Sequence, residues 1–109
     1  MSNPDCVFEA EILQIGDDLV LVAHGDIDMA SASKFGVAMF ELGCSRSVAL
    51  DPADVTFMNS SGLSVIAGTL RRLRREGGAL SVRNASPQIC RLLKITGLDE
   101  FLTIEELPK

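Results

Sequence analysis

The chain has 109 residues, 47% of them hydrophobic and 23% charged, and a formal net charge of −5. That length fits one domain around a single core, and the composition suits a folded chain, not a disordered one. The acidity opposes indiscriminate attraction to nucleic acid or anionic lipid, so direct nucleic-acid binding is not expected and a basic partner surface is easier to accommodate.

Met1-Ser2-Asn3-Pro4-Asp5 lacks the positive and long apolar regions of a secretory leader, and no later run reaches membrane-spanning length. A cytoplasmic chain without membrane insertion is therefore expected. Phe8, Ala10 and Ile12 alternate with Glu9, Glu11 and Leu13, Gly16-Asp17-Asp18 supplies turn chemistry, and Leu19 to Ala23 is apolar. This predicts a β-hairpin. After Gly25-Asp26-Ile27-Asp28, the spacing of Phe35, Ala38, Met39 and Leu42 predicts a helix with Asp28 as its N-cap and Gly43 as its stop.

Val48-Ala49-Leu50 reads as a short buried strand, and Asp51-Pro52-Ala53-Asp54 as a loop after it. Val55, Phe57 and Met58 lead into Asn59-Ser60-Ser61-Gly62, after which Leu63, Ile66, Ala67, Leu70 and Leu73 fall on one helical stripe ending at Gly77-Gly78. Leu80 and Val82 mark another strand. Ser86-Pro87 opens a helix with Ile89, Leu92 and Leu93 inward and Gly97 as its stop. Leu102-Thr103-Ile104 suits a last strand, and Glu105 to Lys109 a tail that frays. The order β-β-α-β-α-β-α-β predicts the α/β class, a mixed β-sheet packed with α-helices.

The stretches HGDIDMASA, VALDPADVTFMNSSGLSVI, RRLRREGGALSVRNASP and LLKITGLDEF, in this order and spacing, resemble the STAS domain family from about Leu19 to Glu105. The resemblance is to its small stand-alone anti-sigma factor antagonists. It implies a single STAS domain over 1–109 whose activity is binding, with no catalytic residues, metal or cofactor. In such proteins the unmodified antagonist binds an anti-sigma factor, usually a serine kinase, and so releases a sigma factor. The kinase phosphorylates a serine of the antagonist, and a serine/threonine phosphatase reverses this. The family junction is Asp-Ser-Ser-Gly or Asp-Ser-Thr-Gly with phosphate on the first hydroxyl residue, which carries over to Ser60, with Ser61 as the alternative. Asn59 departs from the aspartate of the pattern: it keeps the size and the capping oxygen but lacks a carboxylate placed to help a kinase use the neighbouring hydroxyl. The implied partner surface comprises Asp26, Asp28, Asn59, Ser60, Ser61 and Gly62. STAS domains also serve as subunits of lipid-transport complexes and of stress-signalling scaffolds without phospho-switching, which is the alternative function.

The remaining chemistry-bearing residues have plainer explanations. Cys6, Cys44 and Cys90 show no metal or disulfide spacing, although Cys44 and Cys90 are the candidates for redox control. Arg71, Arg72, Arg74 and Arg75 favour a helix C-terminus, and His24 fits no catalytic motif. Asp26 and Asp28 are first explained by capping. Gly62 allows either close approach of a partner backbone or tight packing under its own helix.

Overall fold

The computed structural model describes residues 8–42 and 47–106. A five-stranded sheet runs β1-β2-β3-β4-β5 across its width. β1 (Glu9–Ile15) and β2 (Asp18–His24) form the hairpin; β3 (Ser47–Asp54), β4 (Ala79–Ala85) and β5 (Thr103–Glu106) add in parallel. The parallel steps are connected by α1 (Ala32–Glu41), α2 (Ser60–Arg75) and α3 (Pro87–Thr96), the last followed by a 3-10 turn at Leu98–Glu100. The predicted order of strands and helices is therefore observed.

All three helices send side chains into one core. Phe35 and Met39 of α1, Ile66, Leu70 and Leu73 of α2, and Ile89, Cys90 and Leu93 of α3 meet Leu21, Ala23, Val48, Leu50, Leu80 and Val82 of the sheet. Burying a side chain of this kind stabilises by about 1.5–3 kcal/mol relative to leaving it exposed. The alternate residues Val20 and Ala49 point to the other face and are still buried. There the Arg83 guanidinium donates to Asp18 Oδ2 at 2.6 Å, a pair that reaches from β4 over β3 to β2.

Three boundaries differ from the expectations. β3 does not stop at Leu50: Asp51-Pro52-Ala53-Asp54 stays extended and pairs with β2 through Val22↔Asp51 and, after a register shift, His24↔Asp54. The ladder between β3 and β4 ends at Leu50↔Val82, so Pro52 sits where the strand no longer has that neighbour to serve. α1 begins at Ala32 with Ser31 as N-cap, three residues later than expected, because Asp28 closes a separate turn onto Ser31. Finally, β5 runs to Glu106, so Glu105 belongs to the sheet and not to a tail.

At the other ends the sequence signals hold. Ser86 Oγ accepts from Ile89 N at 3.3 Å with Pro87 at the first helical position, and Gly97 takes a left-handed conformation at φ 80°. Gly43, Cys6, Cys44 and the last residues, 107–109, lie outside the described residues.

Candidate functional site

The junction into α2 is a capped helix start. Asn59 is extended (φ −99°, ψ −174°), and its Oδ1 accepts from Ser61 N at 3.0 Å and Gly62 N at 3.4 Å. Two first-turn N–H groups are thereby satisfied, and the positive end of the macrodipole lies beneath the exposed Ser60; Ser61 is half-buried. Asn59→Ala should destabilise the fold by about 1 kcal/mol, whereas Asn59→Asp should keep the cap and match or slightly exceed wild type. Urea denaturation of the purified variants measures both.

Gly62 is buried at this start. A Cβ there would lie 2.7 Å from Ile27 Cγ2 and 2.7 Å from Met58 Cγ. Of the two explanations the sequence leaves open, its own geometry is that of tight packing under α2, not of a gap offered to a partner backbone.

Two loops frame the helix start at the carboxyl ends of the parallel strands β2 and β3. Ile27 N donates to Phe57 O at 2.8 Å, Asn59 N to Ile27 O at 3.0 Å, and Thr56 Oγ1 to Asp26 Oδ1 at 2.8 Å. Asp26 is thus joined to the segment that leads into Ser60. Asp28 turns instead toward α1: its Oδ1 accepts from Ser31 N at 3.0 Å, and its own N–H donates to Ser31 Oγ at 2.9 Å. Hydrogen bonds from the Ser31 backbone and hydroxyl hold the Asp28 carboxyl below the usual carboxylate range.

At the base of the same loops, His24 Nδ1 lies 2.7 Å from Asp54 Oδ2 and Nε2 lies 3.5 Å from Glu11 Oε1. The hydrogen bond to Asp54, opposed by desolvation and helped by Glu11, raises the imidazole pKa above its ordinary 6.5. A raised folded-state value means that the protonated ring stabilises the fold. That contribution is complete below pH 6.5 and is lost as the pH rises through the raised value. The His24 side chain is 37% exposed, so solvent screens the effect and keeps it small. His24 is the only histidine. Urea midpoints followed upward from pH 6.5 should decline in wild type and decline less in His24→Gln.

The structure adds two residues that the sequence reading passes over. Met29 is 78% exposed and Phe57 is 51% exposed, one on each loop beside Ser60. Phe57 points outward because the buried positions of its segment are Val55 and Met58. Met29 lies off the helical phase of Phe35 and Met39, a signal that was available.

Other candidates lie elsewhere. Cys90 is buried with Sγ 3.7 Å from Ala85 O, an environment that opposes thiolate chemistry. Arg72 donates to Met39 O at 3.1 Å, closing the end of α1, and stacks on Phe40, while Arg74 stacks on Phe101. Both arginines serve the fold; Arg71 and Arg75 remain exposed. Among the described residues no group of His, Cys, Asp and Glu converges as a metal site, and no helix is long and apolar enough to cross a membrane.

Comparison with known proteins places this geometry in context. The STAS domain family profile matches residues 9–107. An anti-sigma-B factor antagonist of Bacillus subtilis (strain 168) is 33% identical over 97 residues, covering 86% of this chain and 87% of the relative. An anti-sigma F factor antagonist of Paenibacillus polymyxa is 29% identical over 89 residues, covering 79% and 76%. The crystal structure of an anti-sigma factor antagonist from Mycobacterium paratuberculosis superposes with a TM-score of 0.79 at 26% identity, covering 96% of this chain and 90% of that one. With the profile extending through the hairpin, all five strands and all three helices, the chain belongs to the STAS domain family.

Proposed function

We propose that this chain is a cytoplasmic anti-sigma factor antagonist. It binds a serine-kinase type of anti-sigma factor through the α2 start and the two loops beside it, and so releases a sigma factor. Phosphorylation of Ser60 ends the complex, and a serine/threonine phosphatase restores it. The protein binds and performs no catalysis of its own.

One observation carries this reading: Ser60 is exposed at the first position of α2, directly after an N-cap that already satisfies the neighbouring N–H groups. A phosphate at a helix N-terminus is tolerated by the free protein, because the macrodipole favours negative charge there. The same phosphate, with roughly −1.5 to −2 charge, opposes burial against a partner that offers no cations. Ser61 is less available, since it is half-buried in the first turn. The relatives named as antagonists support the role, and the exposed Met29 and Phe57 supply apolar contact area around the switch.

Phosphopeptide mapping after incubation with the anti-sigma kinase tests the switch. The expected result is label on Ser60, with faster labelling in Asn59→Asp. Label confined to Ser61, or no label under conditions that modify a control antagonist, overturns it. Stable co-purification with a transporter ATPase, indifferent to kinase, would point to the scaffold function instead.

A further inference from the structure

We propose that the cleft between residues 56–58 and α3 anchors the partner, receiving an apolar side chain of the anti-sigma factor that has an acidic residue beside it. The proposal rests on the antagonist reading and adds to it a second contact region with its own chemistry. The cleft has a volume of about 300 Å³. Its floor is the buried pair Met58 and Ile89, its walls are Phe57 and the half-buried Leu92, and Gln88 and Arg91 stand exposed at the rim. A single exposed phenylalanine is ordinary. One that borders a concave apolar floor is an anchor site of the kind that dominates protein interfaces.

Continuity and charge identify the occupant. Phe57 lies two positions before the N-cap Asn59, and its carbonyl accepts from Ile27, so the cleft and the Ser60 hydroxyl lie on adjoining surface. The 25–31 side of this surface carries the carboxylates of Asp26 and Asp28, and the α3 side carries Arg91. No hydrogen bond or ion pair among the described residues engages the Arg91 guanidinium. A partner that places a carboxylate next to its apolar anchor satisfies Arg91 in the register that keeps its own cations over Asp26 and Asp28.

Calorimetric titration of the full chain against the purified anti-sigma factor from the same organism tests this. Gln88→Trp fills the cleft from an exposed position and Arg91→Glu reverses the rim charge; each should weaken binding about tenfold or more with an unchanged thermal melt. Lys94→Glu makes the same charge change facing a different hollow, beside Cys90 and Leu102, and should bind as wild type. If Gln88→Trp and Arg91→Glu bind normally while Ser60→Glu does not, the cleft proposal fails and the antagonist reading stands. If Ser60→Glu binds normally while the cleft variants do not, the switch fails and the anchor stands. Equal weakening by Lys94→Glu would reduce the effect to general electrostatics and overturn the anchor.

Discussion

Ser60→Glu should weaken binding to the anti-sigma factor about a hundredfold, a loss of about 2.7 kcal/mol, while Ser60→Ala binds like wild type. The asymmetry follows from where the side chain stands. Ser60 is exposed at the first position of α2, so neither substitution removes a packed group. The free protein tolerates the carboxylate because it lies at the positive end of the helix, and glutamate in a first turn is favoured by the macrodipole. In the proposed complex the same carboxylate would be desolvated against a surface that accepts a neutral hydroxyl, and a buried unpaired charge costs several kcal/mol before relaxation. Isothermal titration of the three proteins against one anti-sigma factor measures the difference. Equal affinity of the Ser60→Glu and Ser60→Ala variants, each with a wild-type melt, would remove the charge switch.

The second large effect is on stability. Gly62→Ala should destabilise the chain by about 1–3 kcal/mol, although alanine is the better helix former by about 1 kcal/mol. The added methyl would lie 2.7 Å from Ile27 Cγ2 and from Met58 Cγ, contacts too short for carbon atoms. Neither neighbour is a loose chain end: Ile27 is fully buried, Met58 is 4% exposed, and a parallel bridge pairs the two. Relief therefore requires the buried Ile27 and Met58 side chains to leave their rotamers, α2 to lift or the paired loops to move, and the last two changes displace Asn59 and Ser60. Urea denaturation gives the stability loss directly. A variant as stable as wild type, or more so, would show that the loops yield freely and that the packing at this glycine is soft.

Much of the fold was legible because its signals are local. The alternation at Phe8 to Leu13, the stripe from Leu63 to Leu73 and the Ser86-Pro87 start each depend on neighbours within one element. The extension of β3 through Pro52 was not legible. Proline argues against a central strand unless one knows that the β4 ladder has already ended, and that is a tertiary fact. Asp28 misled for a related reason: a carboxylate before a helix reads as its cap, but here it caps a turn one step earlier, and Ser31 takes the helix position.

The candidate site divides in the same way. Asn59, Ser60 and Ser61 stand out as a capping tetrapeptide with Gly62, and the order of the surrounding stretches gave them a family context. The pairing of Ile27 with Met58, which joins the two loops, depends on residues far apart in the chain and leaves no periodic trace. The outward turn of Met29 and Phe57 escaped notice because apolar residues are assigned to the core by default.

Beyond Leu50, β3 keeps its ladder on one side only. One edge is fastened to β2, and toward β4 one side-chain bond among the described residues, from Asn84 Nδ2 to Asp51 Oδ2 at 2.9 Å, spans the gap. The bonds from Gly25 N to Asp54 O, at 3.1 Å, and between His24 Nδ1 and Asp54 Oδ2, at 2.7 Å, therefore tie this stretch, and Phe57 beyond it, to the hairpin side of the sheet.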